Sequence, residues 1–324
     1  MECKIKIEKG KHLELFTLMN RIRLFEQIAE ELFLHGEVPG FLHSSIGQEA
    51  SAVGVCAAIG IDDYMATTHR GHGHVVAKGG DVNRMMAELY GKVTGYCRGK
   101  GGSMHISCRE LGILGANGIV AGGIPITTGA ALSAKMRGTD QVAVSFFGDG
   151  ASDEGAFHES LNIASIYKLP VLFVCENNHY AESNPQAKHQ NIKDVAVRAK
   201  AYNIDSVIAD GTDIMDVYQK TLTAVEQLRK GNGPILMENK CYRWSGHYVG
   251  DPAVYRPKDE PLEWKTNRDP IKLYAGFLME NKIADSKELE AITEQETKRI
   301  WDAVEFARNS DDPDLTVAME DVYA

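Results

Sequence analysis

The chain has 324 residues, of which 44% are hydrophobic and 25% charged, as is ordinary for a globular protein. A formal net charge of −10 argues against nucleic acid as a partner, because phosphate backbones are bound through basic surfaces, and no run reaches the roughly 18 apolar residues of a membrane helix. The charged segment 1–9 lacks an apolar signal core and the six cysteines are scattered without a Cys-x-x-Cys pair, so we expect a cytoplasmic protein in a reducing compartment.

Helices and one glycine-rich segment are predicted before residue 140. Apolar residues recur on one stripe from Leu13 to Leu34, which indicates a long amphipathic helix. Small residues over Gly47–Ile59 and Gly129–Met136 indicate close helix packing, and Asp81–Tyr90 is a further short helix. The segment 91–124 is rich in glycine and nearly aperiodic, which inside a compact domain is typical of a functional stretch.

A βαβ unit is predicted at the centre of the chain. Gln141–Phe147 and Leu169–Cys175 are β-branched and aromatic runs typical of buried strands, and apolar residues at helical spacing indicate a helix over 151–167 between them. Strands joined in this way run parallel, so Asp149 and Asn178 should lie at neighbouring carboxyl ends of the sheet. Open α/β sheets bind their ligands at that edge.

The remaining segments extend the same α/β pattern. In chain order, they are a helix over 192–202, a strand over 204–208, a helix from the N-cap Asp213 to Lys230, a strand over 234–238, a polar loop over 244–262 and helices from Pro270 onward. No repeat or linker divides them. We therefore predict one domain over residues 1–324, with a mainly parallel sheet flanked by helices and with helical N- and C-terminal extensions.

Gly148-Asp149-Gly150 and Asn177-Asn178 carry the strongest chemical signal. A carboxylate and an amide oxygen suit a hard cation such as Mg²⁺ that is shared with a phosphate. The glycines let the backbone approach a ligand closely, and the helix that begins after them offers free N–H groups to an anion. Gly-Asp-Gly by itself is commonly only a strand-ending turn, but its spacing to a double Asn favours a binding site.

Histidines are concentrated in the segment Thr68–His74. His69, His72 and His74 lie within six residues and raise the alternative of a zinc site, because His is the commonest metal ligand. No Cys or carboxylate accompanies them at a familiar spacing, which weighs against zinc.

These motifs resemble the thiamine diphosphate motif, in particular that of the alpha subunits of two-chain 2-oxo acid and acetoin dehydrogenases. The resemblance continues in Gly47-Gln48-Glu49, Gly118-Ile119-Val120 and Tyr242–Pro252, and so covers nearly the whole chain. It implies a thiamine diphosphate-binding fold, with thiamine diphosphate and Mg²⁺ as cofactors.

The resemblance also implies which residues bind these cofactors. Asp149, Asn178 and the main-chain carbonyl of Tyr180 would bind Mg²⁺. The complete set implied to contact the cofactor is His69, Arg70, Gly118, Val120, Gly148, Asp149, Gly150, Ala151, Asn178, Tyr180 and His247.

Four of the implied roles are more specific. Arg70 would hold the diphosphate through its forked guanidinium, and Val120 would support the bent cofactor. His247 would reach the diphosphate and the thiazolium region. His72 would line the active site, and it is implied to be catalytic together with His247.

Three assignments stay open at this stage. His43 could face the substrate or cap the following helix. Arg256 could order the loop around it by ion pairing, as in the resembling family, or be a lone exposed Arg. The small-residue helix Gly129–Ala134 could pack against another subunit or lie in the core.

The chain also departs from the family pattern at several positions. Asp153-Glu154 replaces Asn-Gln after the Gly-Asp-Gly motif, and two carboxylates there would repel a diphosphate if they pointed inward. Ala181 stands where Gly is usual, and Ser245 replaces a His. Tyr248 occupies the place of the regulatory Ser of the mitochondrial pyruvate enzyme, so we do not expect kinase control of that kind.

One catalytic group has no counterpart in the chain. In two-chain enzymes the Glu that acts on the aminopyrimidine ring comes from a beta subunit, so the resemblance implies an α2β2 heterotetramer that is inactive as this chain alone. It further implies cleavage of a C–C bond next to a carbonyl of acetoin, pyruvate or another 2-oxo acid, and transfer of the acyl unit to a lipoyl acyltransferase component. The alternatives are the N-terminal half of a split transketolase and a non-catalytic metal- and phosphate-binding scaffold.

Overall fold

The computed structural model describes residues 7–320. The segment 1–6, with Cys3 and most of the charged start of the chain, and the segment 321–324 lie outside that range. The expectation about an export signal and the ends of the predicted domain therefore fall on residues outside the description.

Helices and strands alternate along the described chain. The α-helices are α1 Lys9–Leu34, α2 Glu49–Cys56, α3 His72–Ala77, α4 Val82–Leu89, α5 Gly123–Arg137, α6 Gly155–Ile166, α7 Gln186–His189, α8 Ile214–Arg229, α9 Asp259–Asn267, α10 Pro270–Glu280 and α11 Ser286–Arg308. The strands are β1 Tyr64–Thr68, β2 Ile113–Asn117, β3 Ala143–Gly148, β4 Val171–Asn177, β5 Tyr180–Ala181, β6 Asn184–Pro185, β7 Asp205–Asp210 and β8 Ile235–Lys240. Short 3-10 helices occupy Arg109–Leu111, Asp149–Asp153, Val195–Tyr202 and Leu315–Met319.

Six of the strands within residues 7–320 form one parallel sheet in the order β2-β1-β3-β4-β8-β7. The neighbouring pair β3 and β4 confirms the predicted central βαβ unit. Nearly every residue of these two strands is buried, as expected for a parallel sheet that is covered on both faces. The predicted α/β class with a mainly parallel sheet is confirmed.

Helices cover both faces of this sheet. Val144 and Phe146 of β3 pack into a core shared with α1, α2 and α8, whereas Ala143 and Phe147 pack into a second core shared with α5 and α6. This alternation follows from the two-residue period of a strand. Cys175 of β4 is fully buried in the second core, where it acts as a small apolar residue.

Two strands of the sheet lie where no strand was predicted. Both β1 and β2 are only five residues long, and β2 falls in the glycine-rich segment, with Gly115 at φ 146°. Neither shows the long β-branched run that marks β3 and β4. They nevertheless form one side of the sheet, and the histidine-rich segment begins at the carboxyl end of β1.

The helix boundaries also differ from the predicted ones in places. α5 begins at Gly123 rather than at Gly129, and Val195–Tyr202 is a 3-10 helix rather than an α-helix. α9 occupies the end of the predicted polar loop. The N-cap Asp213 is confirmed, because its carboxylate accepts hydrogen bonds from the main-chain N–H groups of Met215 and Asp216.

The small-residue helix α5 lies in the core along one face, and its packing against another subunit stays a prediction. Ala131 and Ala134 are buried against the sheet, while Gly129 and Ser133 are exposed on the other side. Taken over residues 7–320, no helix of the protein has both the length and the apolar character needed to cross a bilayer.

Candidate functional site

A cleft of about 350 Å³ opens at the carboxyl edge of the sheet. Strand order reverses between β1 and β3, and such a reversal is where open α/β sheets bind ligands. The cleft is lined by the segments that follow β1, β2, β3, β4 and β8. Of the residues predicted for the site, it brings together His69, Arg70, Gly118, Val120, Gly148, Asp149, Gly150, Ala151, Asn178, Tyr180 and His247.

One side of the cleft, here called the oxygen wall, consists of Asp149, Asn178 and Tyr180. Asp149 is 1% exposed, and its Oδ2 accepts no hydrogen bond in the described structure, although His189 Nε2 lies 3.4 Å away. Asn178 Oδ1 accepts only a long bond, 3.4 Å, from the Tyr180 N–H, and the Tyr180 carbonyl accepts one of 3.5 Å from Arg243. Buried polar atoms are normally satisfied, so these three oxygens fit a hard cation with oxygen ligands.

A second group of lining residues, here called the nitrogen wall, consists of His43, His69, Arg70, Arg243 and His247. Arg70 donates to the main-chain carbonyl of Ser44 at 2.8 Å and to that of His247 at 2.6 Å. Within residues 7–320 neither arginine has a carboxylate as ion-pair partner. A buried, unpaired cation of this kind suits an anion such as a diphosphate.

Charge on the nitrogen wall is carried by arginine rather than by histidine. Burial and the neighbouring Arg243 lower the pKa of Arg70 to about 9, so its guanidinium is still charged at pH 7. Burial and the charge of Arg70 lower the pKa of His43 to about 4, that of His69 to about 2 and that of His247 to about 3. The three imidazoles are therefore neutral at pH 7 and act through hydrogen bonds.

These imidazoles form a compact group. Their ring centroids are 4.8 Å apart for His43 and His69, 5.0 Å for His43 and His247 and 5.4 Å for His69 and His247. His43 Nδ1 is buried without a partner among the described atoms. The N-cap of α2 is Gln48, so His43 faces the cleft and does not cap that helix.

The zinc alternative finds no support in this arrangement. His69 lines the cleft, His72 contacts Glu26, and His74 contacts Thr67 and Glu176. The imidazoles thus point to different partners. In the described part of the chain, no three His, Cys, Asp or Glu side chains converge as a metal site.

His72 does not line the cleft, which corrects the sequence-based expectation of its position. It begins α3 and is 1% exposed, with Nδ1 3.0 Å from Glu26 Oε2 and Nε2 2.9 Å from Ser103 Oγ. Glu26 Oε1 also accepts hydrogen bonds from the N–H and hydroxyl of Ser45. The pair Glu26–His72 therefore ties two loops beside the site to α1 and α3.

Gly150 of the motif has no room for a side chain. A Cβ on Gly150 would lie 2.6 Å from the Cβ of Ala181, so the backbone there admits only glycine. The departure Ala181 packs directly against it. Ala151 is buried in the second core, whereas Val120 is 52% exposed and presents an apolar surface at the cleft.

Asp153 and Glu154, the two acidic residues that depart from the family pattern, have different surroundings. Asp153 is paired with His189 at 2.7 Å and with Arg198, whereas Glu154 lines the cleft. The hydroxyl of Ser245 donates to Glu30 at 2.9 Å. Only one of the two extra carboxylates therefore faces the site.

Arg256 orders the segment after β8. It is 9% exposed and donates to the main-chain carbonyls of Arg243, Trp244 and Ser245 at distances of 2.8 to 2.9 Å. The alternative of an exposed Arg is wrong. Its contacts are main-chain carbonyls, however, rather than the ion pairs that the resemblance implied.

Two main-chain hydrogen bonds fasten the segment after β8 to the loop before α2. Trp244 N–H donates to Ile46 O at 3.1 Å, and Val249 N–H donates to Leu42 O at 2.9 Å. A Cβ on Gly47 would lie 2.4 Å from Trp244 Cδ1, which explains the glycine of the Gly-Gln-Glu motif. This clasp, formed by residues 42–49 and 242–249, closes the nitrogen wall.

Sequence reasoning missed Gln48, Glu176 and Arg243 as lining residues. Gln48 belongs to the Gly-Gln-Glu motif, and Arg243 closely follows a predicted core strand, so the sequence did contain a signal for each. Glu176 precedes the double Asn at the end of β4, and only the sheet register shows that it borders the cleft.

Known proteins are similar in sequence to this chain over nearly its whole length. Residues 17–316 match the family model described as dehydrogenase E1 component. The alpha subunit of acetoin:2,6-dichlorophenolindophenol oxidoreductase from Bacillus subtilis is 45% identical over 98% of this chain and 95% of its own length. The same subunit from Cupriavidus necator is 40% identical over 98% of this chain and 96% of its own. The pyruvate dehydrogenase E1 component subunit alpha of Rhizobium meliloti is 36% identical, covering 98% and 91%.

Proposed function

The chain belongs to the dehydrogenase E1 component family, and from that membership we propose that it is the alpha subunit of a thiamine diphosphate-dependent acetoin dehydrogenase. The acetoin relatives are 45% and 40% identical to it, and the pyruvate relative is 36% identical. Acetoin is therefore favoured over pyruvate as the substrate. The observation that carries the cofactor assignment is the buried Asp149 Oδ2, which accepts no hydrogen bond within the described chain, has His189 Nε2 3.4 Å away, and lies at the carboxyl edge of β3.

Mg²⁺ would be held by the oxygen wall. Asp149 supplies a carboxylate, Asn178 an amide oxygen and Tyr180 a main-chain carbonyl, the oxygen donors that Mg²⁺ prefers. The remaining ligands would be phosphate oxygens and water. Gly150 lets the main chain approach the diphosphate, and Gly148 and Ala151 lie on either side of the turn.

The nitrogen wall would bind the diphosphate and face the reacting carbonyl. Arg70 supplies the charge, while His69 and His247 supply neutral imidazoles that hydrogen-bond without adding charge. Gly118 and Val120 would contact the ring of the cofactor. When bound, thiamine diphosphate would supply the electron sink that lets a C–C bond next to a carbonyl break.

His72 would act as a positioning residue. Its imidazole is buried between Glu26 and Ser103, so it holds the loop of Ser103 and does not touch the contents of the cleft. The catalytic role that the resemblance implied for His72 thus becomes a proposal about loop placement.

A beta subunit would complete the site in an α2β2 heterotetramer. Apolar side chains are exposed at the lip of the cleft and on α5 and α6, namely Ile119, Val120, Ile126, Met136, Ile163 and Ile166. Clustered exposed apolar residues are typical of a subunit interface. The acyl acceptor would be a lipoyl group on a separate acyltransferase component, and the scattered unpaired thiols fit the cytoplasm.

Turnover with a panel of substrates tests the reaction. The chain would be combined with its beta subunit, and reduction of an artificial electron acceptor would be followed with acetoin, pyruvate, 2-oxobutyrate and branched 2-oxo acids. We expect the highest kcat/KM with acetoin and no turnover by the chain alone. Turnover by the chain alone would refute the two-chain assembly, and activity only with sugar phosphates and an aldehyde acceptor would favour the split transketolase. Cofactor binding without any turnover by the pair would favour the scaffold.

Calorimetric titration tests the cofactor assignment separately. Asp149→Ala should weaken Mg²⁺-dependent thiamine diphosphate binding by more than about 100-fold, because it removes the charged ligand of the cation. Asp140→Ala is the control, since that carboxylate is 89% exposed. Equal affinity of Asp149→Ala and wild type for thiamine diphosphate would contradict the cofactor assignment.

A further inference from the structure

Gln48 contacts the oxygen wall but belongs to neither wall. It is 2% exposed, it is the N-cap residue of α2, and its side chain lines the cleft next to Asn178. Asn178 Nδ2 donates to Gln48 Oε1 at 3.2 Å. Gln48 Nε2 is buried and has no hydrogen-bond partner within residues 7–320.

The hydrogen bonds around these two amides show which end of each amide is the oxygen and which is the nitrogen. Tyr180 N–H is a donor, so the side of Asn178 that meets it must be Oδ1, and Nδ2 must then face Gln48. The group that meets Nδ2 has to be an acceptor, which places Oε1 of Gln48 there. The thiol of Cys241 also approaches Oε1, at 3.6 Å, and is a weak donor.

Amide orientation matters because only the oxygen of Asn178 can ligate a cation. If the amide turned over, its NH₂ group would face the position proposed for Mg²⁺. A group that holds the other end of a ligand commonly changes metal affinity by about 10- to 100-fold when it is removed. Gln48 is the side-chain acceptor that the structure gives to Asn178 Nδ2.

We propose that Gln48 is a positioning residue that fixes the amide of Asn178 with its oxygen toward the cation. The proposal rests on the function proposed above, since it takes Asn178 as a ligand of Mg²⁺. It gives the Gln of the Gly-Gln-Glu motif a task distinct from those of its neighbours. Gly47 makes room for Trp244, and Glu49 pairs with Arg23 at 2.5 Å.

A second Asn–Gln pair provides a matched control. Asn177 Nδ2 donates to Gln186 Oε1 at 3.0 Å, and Asn177 is fully buried but does not line the cleft. Gln186, like Gln48, is more than nine-tenths buried. Gln186→Met therefore removes an amide acceptor from the residue next to Asn178, although Asn177 Nδ2 keeps Glu238 Oε1 as a second acceptor at 2.7 Å.

The test measures the Mg²⁺ concentration needed for half-maximal thiamine diphosphate binding by the full chain with its beta subunit. Calorimetry supplies this value, and Mn²⁺ followed by electron paramagnetic resonance supplies a second one that does not depend on turnover. Gln48→Met should raise the value by about 10-fold. Gln186→Met should leave it within about threefold, because its partner does not face the cleft.

An Asn178→Asp background distinguishes orientation from packing. A carboxylate presents an oxygen whichever way it turns, so Gln48→Met in this background should change the Mg²⁺ requirement by less than about twofold. An equal effect of Gln48→Met in both backgrounds would overturn the proposal, as would no effect in the wild-type background. If Gln48→Met does not fold, Gln48→Glu replaces it, because it keeps an acceptor for Asn178 Nδ2. The Mg²⁺ requirement of Gln48→Glu should be near that of wild type. A rise of about 10-fold would overturn the proposal.

The failure of this proposal can be told from failure of the proposed function. If wild type binds thiamine diphosphate with Mg²⁺ and Asp149→Ala does not, the site stands, and a silent Gln48→Met refutes only the role of Gln48. If Asp149→Ala binds as wild type does, the proposed function itself has failed and the role of Gln48 fails with it.

Discussion

The two walls of the cleft satisfy their polar groups in different ways. The nitrogen wall is fastened by the protein itself, because Arg70 and Arg256 donate to main-chain carbonyls over short distances. On the oxygen wall, Asn178 and Tyr180 accept only long hydrogen bonds, and Asp149 Oδ2 accepts none and lies 3.4 Å from His189 Nε2. On the nitrogen wall, His43 Nδ1 and Arg243 Nε are also buried without a hydrogen bond within residues 7–320. The nitrogen wall thus carries positive charge on arginines that the protein holds in place, whereas the proposed function assigns a bound cation to the oxygen wall.

This difference predicts that the walls fail differently when they are altered. A change on the nitrogen wall should loosen the protein or remove charge, and no added cation can replace either. A change on the oxygen wall should raise the demand for Mg²⁺, which excess Mg²⁺ can partly meet.

The largest expected effect comes from breaking the support of the nitrogen wall. Arg256→Met removes three hydrogen bonds to carbonyls that are left buried, so the free energy of unfolding should fall by about 3 kcal/mol. Urea denaturation measures it. Arg299→Met is the control, because Arg299 is 46% exposed and its ion pair with Glu296 should contribute less than about 1 kcal/mol. Similar losses in the two variants would show that the wall has no special support.

A smaller effect is expected from substitutions of one residue on each wall, Arg70 and Asn178. Arg70→Met should weaken thiamine diphosphate binding by about 10- to 100-fold at low and at saturating Mg²⁺, because a charge-assisted contact is lost. Asn178→Ala should weaken it at low Mg²⁺ and recover in part at saturation. Calorimetric titration at both Mg²⁺ levels measures this. Recovery of Arg70→Met by Mg²⁺ would contradict the separation of the walls.

The smallest effect concerns Glu26 behind the nitrogen wall. Burial raises the pKa of Glu26, but the charge and hydrogen bond of His72 and the hydrogen bonds of Ser45 outweigh burial and lower it from 4.5. A carboxyl with a lowered pKa stabilises the fold above its unfolded pKa, and this stabilisation is lost as the pH falls through the folded pKa. Glu26→Gln should therefore cost about 1.5 kcal/mol at pH 7 and progressively less under acid conditions.

Urea denaturation of wild type and Glu26→Gln between neutral and acid pH tests this dependence. Glu14→Gln on the exposed side of α1 should cost less than about 1 kcal/mol at pH 7. A constant difference between wild type and Glu26→Gln across the pH range would mean that the carboxylate charge contributes nothing.

The central part of the fold could be predicted because its signal is local. β3 and β4 are continuous buried runs, so their parallel pairing and the position of Asp149 and Asn178 followed directly. β1 and β2 were missed, because a five-residue strand beside glycines leaves no periodic pattern and is held by its neighbours in the sheet.

The cleft could be predicted for residues that follow a strand, but less well for residues whose direction depends on a helix. His69 and Arg70 follow β1 and line the cleft, whereas His72 begins α3 and turns toward Glu26. A run of histidines does not reveal this change of direction. The position of Gln48 depends on a contact with Asn178, far away in the chain, which spacing alone could not show.

The clasp between residues 42–49 and 242–249 has a consequence for how the protein is made. Its early half leaves the ribosome long before its late half. While the late half is still inside the ribosome, His247 cannot meet Arg70. The nitrogen wall can therefore be completed only near the end of translation.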